Sequence, residues 1–502
     1  MKKIIYIALI ALAGIVSSCE DMLDVKSPDQ IESKNYWRDK NDVEAAVASA
    51  YSMLECANEF YSFAEVRWTV EAYREDLFTL GSDAVNYQNW TELYNFTYTN
   101  SNTQFSKYWS ANYMGINRAN QIIANLPKVP SDKISDTDRE QLMSEAKFLR
   151  AYYHFKLLLN WEKIIIRDKE IVKEEDLHKA LSSREETWNF IIKDLQDATK
   201  LVAARTDETL GRATKGAAYS YLGFAYLTRA YEEKAKKEEY LQNAIDALLQ
   251  VKGYTLVKDY LSMFNGTNKN STESIFEMQF SKSFNNKADY QTSIHQWIAA
   301  GELDGWDEIL PSKMLVDEFK KEGKIATTGR YDSRMYETIF FNDPYFNDPD
   351  NPRVYGQTYD EKFSDDKAAF RKYLPTTMEG IWNWQTDINV PLMRYSNVLL
   401  MLAEAYNEQG HPEHAIPLIN QVRERADMPA MTGTTQPEVR AQIEHERILE
   451  FPLENYRFYD LRRWGKAKSA LTAAGRDGYS DEKNAFFPIP QKEIFANNAL
   501  SR

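Results

Sequence analysis

The sequence predicts a mainly α-helical fold in which tetratricopeptide-like helical hairpins support a loop-rich, ligand-binding region with a few short strands. Three observations predict it. Apolar residues recur at steps of three and four over long stretches of the first half and again beyond position 391. Two of these stretches repeat one another. Between them, residues 253–391 are rich in Asn, Asp, Gly, Pro and aromatic side chains, a composition that interrupts long helices. Residues 42–252 then form an N-terminal helical part and 253–502 a C-terminal part with 253–391 inserted in it, together one structural domain. Length alone, at 502 residues, would allow two or three.

The chain opens with Lys2 and Lys3, an apolar run from Ile4 to Val16, and the small residues Ser17 and Ser18 before Cys19. This has the order of a signal peptide over residues 1–18. The run is shorter than the roughly 20 apolar residues that span a bilayer. It resembles a bacterial lipoprotein signal, which implies cleavage before Cys19, acylation of that cysteine, and attachment to a membrane through lipid. Residues 19–41 are polar, acidic and proline-bearing, as expected of a tether. Asp42 reads as the N-cap of a first helix carrying Val43, Ala46, Val47, Ala50, Tyr51 and Leu54 on one stripe. Helices follow over Lys107 to Leu126, where Pro127 ends the pattern, then Glu140 to Trp161 and Arg184 to Val202.

The repeat is internal to the next helices. Tyr219, Leu222, Gly223 and Tyr226 precede Ala244, Leu248 and Val251; Leu399, Leu402, Ala403 and Tyr406 precede Ala415, Ile419 and Val422. Spacings within each helix agree, and the small residue falls where paired helices cross, as in tetratricopeptide units. A weaker third copy begins at Phe148, Ala151, Tyr152 and Phe155. In the inserted region, Ser274 to Phe280 alternates Phe276, Met278 and Phe280 with Glu277 and Gln279, the pattern of a half-buried strand.

Charge and cysteine count exclude several function classes. The net charge is −14, and −16 without Lys2 and Lys3, which argues against nucleic acid as a partner and against polybasic membrane docking. There are two cysteines; if Cys19 is acylated, Cys56 has no disulfide partner and reads as a small buried hydrophobe. No Gly-x-Ser-x-Gly elbow, His-Glu-x-x-His or phosphate loop is present.

In the segment Ile443 to Trp464, Arg447, Glu450, Glu454, Arg457, Asp460 and Arg463 recur every three or four residues, so that opposite charges can pair along one face. It stands with Arg394-Tyr395, Leu402-Ala403-Glu404-Ala405-Tyr406, Asn420-Gln421-Val422-Arg423, the tail Phe487-Pro488-Ile489-Pro490 with Glu493-Ile494, and Glu145 to Ala151. Together with the cysteine signal these resemble the SusD/RagB family of nutrient-binding outer-membrane lipoproteins. The resemblance runs from Cys19 to the C-terminus. Asn455 stands where the family commonly has glycine, and Pro452 should break or restart the helix. The resemblance implies a SusD-like fold at the cell surface, lipid-anchored in the outer membrane, forming a lid over a SusC-like TonB-dependent barrel. It would bind nutrient, oligosaccharide rather than peptide, and hand it on without breaking a bond.

Catalysis at Glu450, Glu454 and Asp460 is disfavoured because neighbouring arginines lower a carboxyl pKa, the wrong direction for a general acid. No residue is assigned as catalytic or as a metal ligand. His411 and His414 flank the Gly410–Pro412 turn and read as a linker. No cofactor is expected, although Asp343, Asp348 and Asp350 leave a structural calcium open. Binding is assigned to aromatics outside the helical stripes, which stack on sugar rings or apolar side chains, with amides beside them. The candidates are Trp90 and Tyr94 with Asn89, in the stretch Asp83 to Gln104 between helices; Tyr290, Trp297 and Trp306 with Gln291 and Gln296; and Tyr345 and Trp382. Trp384 reads as loop packing. A glycan and a peptide remain open as ligands, and a surface glycosidase or a scaffold that binds only proteins are the alternative functions.

Overall fold

The computed structural model describes residues 36–55, 67–282, 291–363 and 366–500. Cys19, Cys56 and Tyr290 lie outside them.

Helices α1 (Lys40–Tyr51), α2 (Gln88–Asn95), α3 (Thr103–Asn125), α4 (Asp136–Asn160), α5 (Arg184–Ala198), α6 (Lys215–Glu232) and α7 (Lys237–Leu248) make up most of the first half. In the second half α8 (Ile294–Ile298) is short; α9 (Tyr395–Glu408), α10 (Pro412–Arg425), α11 (Gln436–Glu450) and α12 (Arg457–Arg463) follow. From α3 onward α3 to α7 pack each on the next, α7 packs on α9, and α9 to α11 continue the array. Polar side chains start these helices: Ser135 caps α4, Ser183 caps α5 in a capping box with Glu186, and Thr214 caps α6, each worth about 1 kcal/mol. For α1 the cap is Asp39, whose carboxylate accepts from the N–H groups of Asn41 and Asp42. Asp42, expected in that role, lies in the first turn and accepts from Arg38 instead.

The repeated segments are the hairpins α6–α7 and α9–α10. At Gly223 a Cβ would lie 2.5 Å from Leu248, so glycine sets how closely α6 and α7 cross; Ala403 is fully buried at the corresponding place. Gly410, at φ +83°, turns the chain from α9 towards α10.

Among the described residues, three two-stranded antiparallel sheets lie between and beside the hairpins: β1 (Phe78–Leu80) with β3 (Ile309–Pro311), β2 (Ser274–Met278) with β6 (Val390–Arg394), and β4 (Ile339–Phe340) with β5 (Ala369–Phe370). β2 ends at Met278 and is buried on both faces. The alternation in its sequence does not mark a solvent side, because Glu277 is satisfied internally by Asn389, Ser274 and the Asn270 N–H.

The charged segment at 446–463 is a hub of the core. Pro452 follows Phe451, the C-cap of α11, and the chain turns through Leu453 and Asn455, both at positive φ (65° and 64°), before α12. Asn tolerates that conformation better than most residues, which is why it can replace glycine here. The break moves Glu450 and Glu454 off a common face. Arg394 donates to Glu450 at 2.8 Å and to Glu454 at 2.8 and 2.7 Å, and also binds Glu273. Arg334 reaches Glu446 at 2.7 Å and Glu450 at 3.1 Å, Arg425 binds Glu450, and Lys372 meets Glu454 at 2.7 Å. Inside the motif, Arg447 and Arg463 pair with Asp460. The tail binds the first half: Phe487 N–H donates to the Asn160 carbonyl, and Trp161 Nε1–H to that of Pro488, both at 2.9 Å. Among the described residues no helix is long and apolar enough to cross a membrane.

Candidate functional site

An open cleft of about 660 Å³ lies where α2, the start of α3, α8 and the chain around 306 and 384 come together. Tyr87, Trp90, Trp297, Trp306 and Trp384 line it, with Asn86, Gln88, Asn89, Thr103 and Gln104 as polar neighbours. The rings form a continuous arc. Tyr87 stacks on Trp90 with centroids 3.8 Å apart, Trp90 meets Trp297 at 4.6 Å, Trp297 meets Trp306 at 6.1 Å, and Trp306 meets Trp384 at 6.0 Å.

Different segments hold each ring. The stretch Asp83 to Gln104, expected to lie between helices, contains α2, which ends at Phe96 with φ +59°. Trp297 sits on α8, and its Nε1–H donates to the Tyr73 hydroxyl at 3.1 Å. The segment carrying Trp384 is tied to α8 by a bridge between Thr292 and Thr386. Ser293 Oγ donates to the Trp384 carbonyl at 2.8 Å, and His295 Nε2 bonds the Asn383 carbonyl at 2.7 Å.

Of the residues singled out in the sequence, Trp90, Asn89, Trp297 and Trp306 come together here. Trp90 and Trp297 are 6% and 1% exposed, so they form the back of the arc; Trp384 is 60% exposed and Tyr87 lies at the other end. Trp384, assigned to loop packing, therefore lines the cleft, and Tyr87 joins it without having been singled out. Asn89 Nδ2 donates to Thr103 Oγ1 at 3.0 Å on the rim.

Other candidates lie elsewhere. One turn beyond Trp90, Tyr94 is covered by the Arg476 guanidinium 3.7 Å from its ring centre and by Phe78. Tyr345 packs against Tyr336, Phe346 and Arg353 in the inserted region. Trp382 is outside the lining although 60% exposed, its Nε1–H held by Asp304 at 2.9 Å. Gln296 is buried and donates to the Ile381 carbonyl, which spends its amide on structure. Asp343 and Asp348 already neutralise Lys324 and Arg353.

The cleft also contains acid. Asp83 and Glu308 line it, as does Lys107. Burial, and then the nearby Asp83 and Asp307, push the Glu308 carboxyl up to about 8. Glu450 in the core behaves in the opposite way. Burial would raise Glu450 too, but Arg425, Arg394 and Arg334 outweigh it and hold the carboxyl well below the usual range.

Comparison with known proteins agrees with the architecture. A model described as the SusD family matches residues 272–502, and a second, SusD-like model described as starch-binding and associating with the outer membrane matches residues 21–227. The SusD-like protein P38 of Formosa agariphila is 27% identical over 94% of this chain and 94% of its own. A SusD superfamily protein from Bacteroides vulgatus superposes with a TM-score of 0.78 at 28% identity, covering 92% of this chain and 98% of its own. A laminarin-binding SusD-like protein superposes at 0.72 and 23% identity, over 92% and 98%. Two matching models that between them take in both the N-terminal array and the charged core, with relatives aligned nearly end to end, place the chain in the SusD family.

Proposed function

We propose that this protein binds oligosaccharide nutrient in the aromatic cleft and acts as the surface component of an outer-membrane uptake system. The observation that carries the reading is the arc of Tyr87, Trp90, Trp297, Trp306 and Trp384 along one open cleft of about 660 Å³. Flat rings in series suit the repeated C–H faces of a sugar chain, and amides on the rim suit its hydroxyls. The laminarin ligand of one structural relative, and the starch named for the matching family model, support a glycan over a peptide. Titration calorimetry against laminarin, starch and a peptide digest tests this. Heat of binding with a glycan is expected, and heat with peptide alone would overturn the glycan assignment.

The anchoring and delivery parts of the proposal rest on Cys19 and on the family. Acylated Cys19 would fix the protein at the outer face of the outer membrane, and the helical frame would seat on a SusC-like TonB-dependent barrel as its lid, opening by hinge motion. Cys19→Ala protein should leave the cell surface, and deletion of the gene should reduce uptake through the cognate barrel. Uptake at the wild-type rate in the deletion strain would end the lid role.

A glycosidase reading meets two obstacles. Glu450, Glu454 and Asp460 are buried and paired with cations in the core. Asp83 and Glu308 do line the cleft, but they are within hydrogen-bonding reach of each other, whereas paired glycosidase carboxyls stand about 5–10 Å apart to flank the scissile bond. Purified protein should release no new reducing ends from laminarin or starch.

A further inference from the structure

A strand pairing sets two carboxyls side by side in the aromatic cleft. The β1–β3 ladder ends with Leu80 opposite Ile309, and the Gly81 N–H then donates to the Glu308 carbonyl at 2.8 Å. A Cβ on Gly81 would lie 1.8 Å from the Asp307 carbonyl oxygen, so only glycine permits this approach. Ser82 fixes the exit from the turn, its N–H and Oγ both donating to Asp307 Oδ2 at 3.0 and 2.8 Å. The next side chain, Asp83, is thereby brought within hydrogen-bonding reach of Glu308.

Glu308 has the features of a group waiting for a ligand. It is 1% exposed yet lines the cleft, and its Oε2 accepts no hydrogen bond from a described residue. It has no ion-pair partner among the described residues. The ionisable groups around it are Asp83, Asp307, the buried Tyr73 hydroxyl and, elsewhere on the cleft wall, Lys107. Asp307 is neutralised by Lys367 at 3.2 Å, and Tyr73 accepts from Trp297. Asp83 accepts from Asn86 Nδ2 at 3.0 Å. Two carboxyls this close, in a site walled by tryptophan, cannot both ionise cheaply. With one proton between them they offer a donor and an acceptor, which matches a hydroxyl group. A carboxylate or sulfate in the same place would face negative charge.

We propose that Asp83 and Glu308 form the polar subsite of the cleft, bonding a hydroxyl of an uncharged sugar and excluding sugars that carry carboxylate or sulfate. The inference rests on the glycan-binding reading of this cleft and names the class of glycan it takes. Loss of the shared proton leaves two adjacent carboxylates, so binding weakens as pH rises.

Two measurements test it. In ligand-free protein, tryptophan fluorescence followed from pH 5 to 9.5 should show a step near pH 8 that is absent from Glu308→Gln and moved to lower pH in Asp83→Asn. Calorimetry with laminarin and starch as neutral probes, and alginate and carrageenan as anionic ones, should show the neutral probe preferred. Its affinity should fall roughly tenfold or more between pH 7 and 9.5, and Glu308→Gln should remove that pH dependence. A fluorescence step that survives Glu308→Gln or that Asp83→Asn leaves in place, neutral-probe binding that is flat across this range, or tighter binding of alginate or carrageenan would each overturn the subsite while leaving the glycan-binding reading intact. Failure of all four probes to bind at any pH would overturn that reading and the subsite with it.

Discussion

Around Arg394 the carboxylates of Glu273, Glu450 and Glu454 each meet a guanidinium or an ammonium group; in the aromatic cleft, Glu308 meets Asp83. The first cluster holds α11, α12, β2 and β6 together, and the Glu450 carboxyl stays charged because arginine outweighs burial. The second lies beside rings that are only partly covered, and there burial wins. Aromatic rings divide in the same way. Phe276 is enclosed by Phe148, Tyr152 and Tyr221, whereas the arc from Tyr87 to Trp384 has solvent along one side. A group whose partners all come from the protein holds the fold; one left without a partner in a cleft is free to serve a ligand.

The largest effect should come from unbalancing the core. Glu450→Ala leaves Arg334, Arg394 and Arg425 without a shared counter-charge, and breaking such a pair costs about 3–5 kcal/mol. Chemical denaturation should show the loss, and an unchanged midpoint would mean that Glu450 does not hold the core together. Trp297→Ala blurs the two regions, since the ring is buried and also backs the cleft. It should cost roughly 3 kcal/mol of stability and weaken glycan binding in the fraction that remains folded.

A pH effect comes next. His445 bonds Glu318 at 2.6 Å and lies 3.1 Å from Glu322. Burial opposes its charge, but the two glutamates outweigh it and raise the imidazolium to about 9. The folded state thus binds this proton more tightly than the unfolded chain, whose histidine titrates near 6.5. The stabilisation is complete below pH 6.5 and is lost as pH rises through about 9. Relative to His445→Gln, wild-type protein should be more stable by about 2 kcal/mol at pH 6, with the gap narrowing by pH 10. A gap constant with pH would mean that the contact acts through packing alone. The smallest change in stability is expected for Trp384→Ala, within about 0.5 kcal/mol because the ring is exposed.

Helical stripes made most of the frame legible in the sequence, and Gly223 and Ala403 marked the hairpin crossings. Pro452 announced the break after α11. Of the pairing expected along the charged segment, Arg447 and Arg463 do meet Asp460, whereas that break sends Glu450 and Glu454 to arginines and a lysine outside the segment. In the cleft, three tryptophans and Asn89 were recognisable as aromatics and amides outside the stripes. Tyr94 was not separable from Trp90, because their difference lies in what covers each ring, Arg476 in one case and the cleft in the other. Trp384 and Glu308 depend on a single bridge at Thr292–Thr386 and a three-residue ladder joining β1 to β3. Pairings that short and that distant leave no periodic signal.

If the exposed end of the aromatic arc binds glycan without carrying the fold, removing its rings should cost affinity and leave stability in place. Calorimetric titration of laminarin and starch into wild type and into the Trp306→Ala/Trp384→Ala protein tests it most directly, with thermal melts run in parallel. The expected result is binding by wild type and a loss of about 2 kcal/mol, roughly thirtyfold, in the double variant, with a melting temperature within a few degrees of wild type. Wild-type affinity in the double variant would contradict the account.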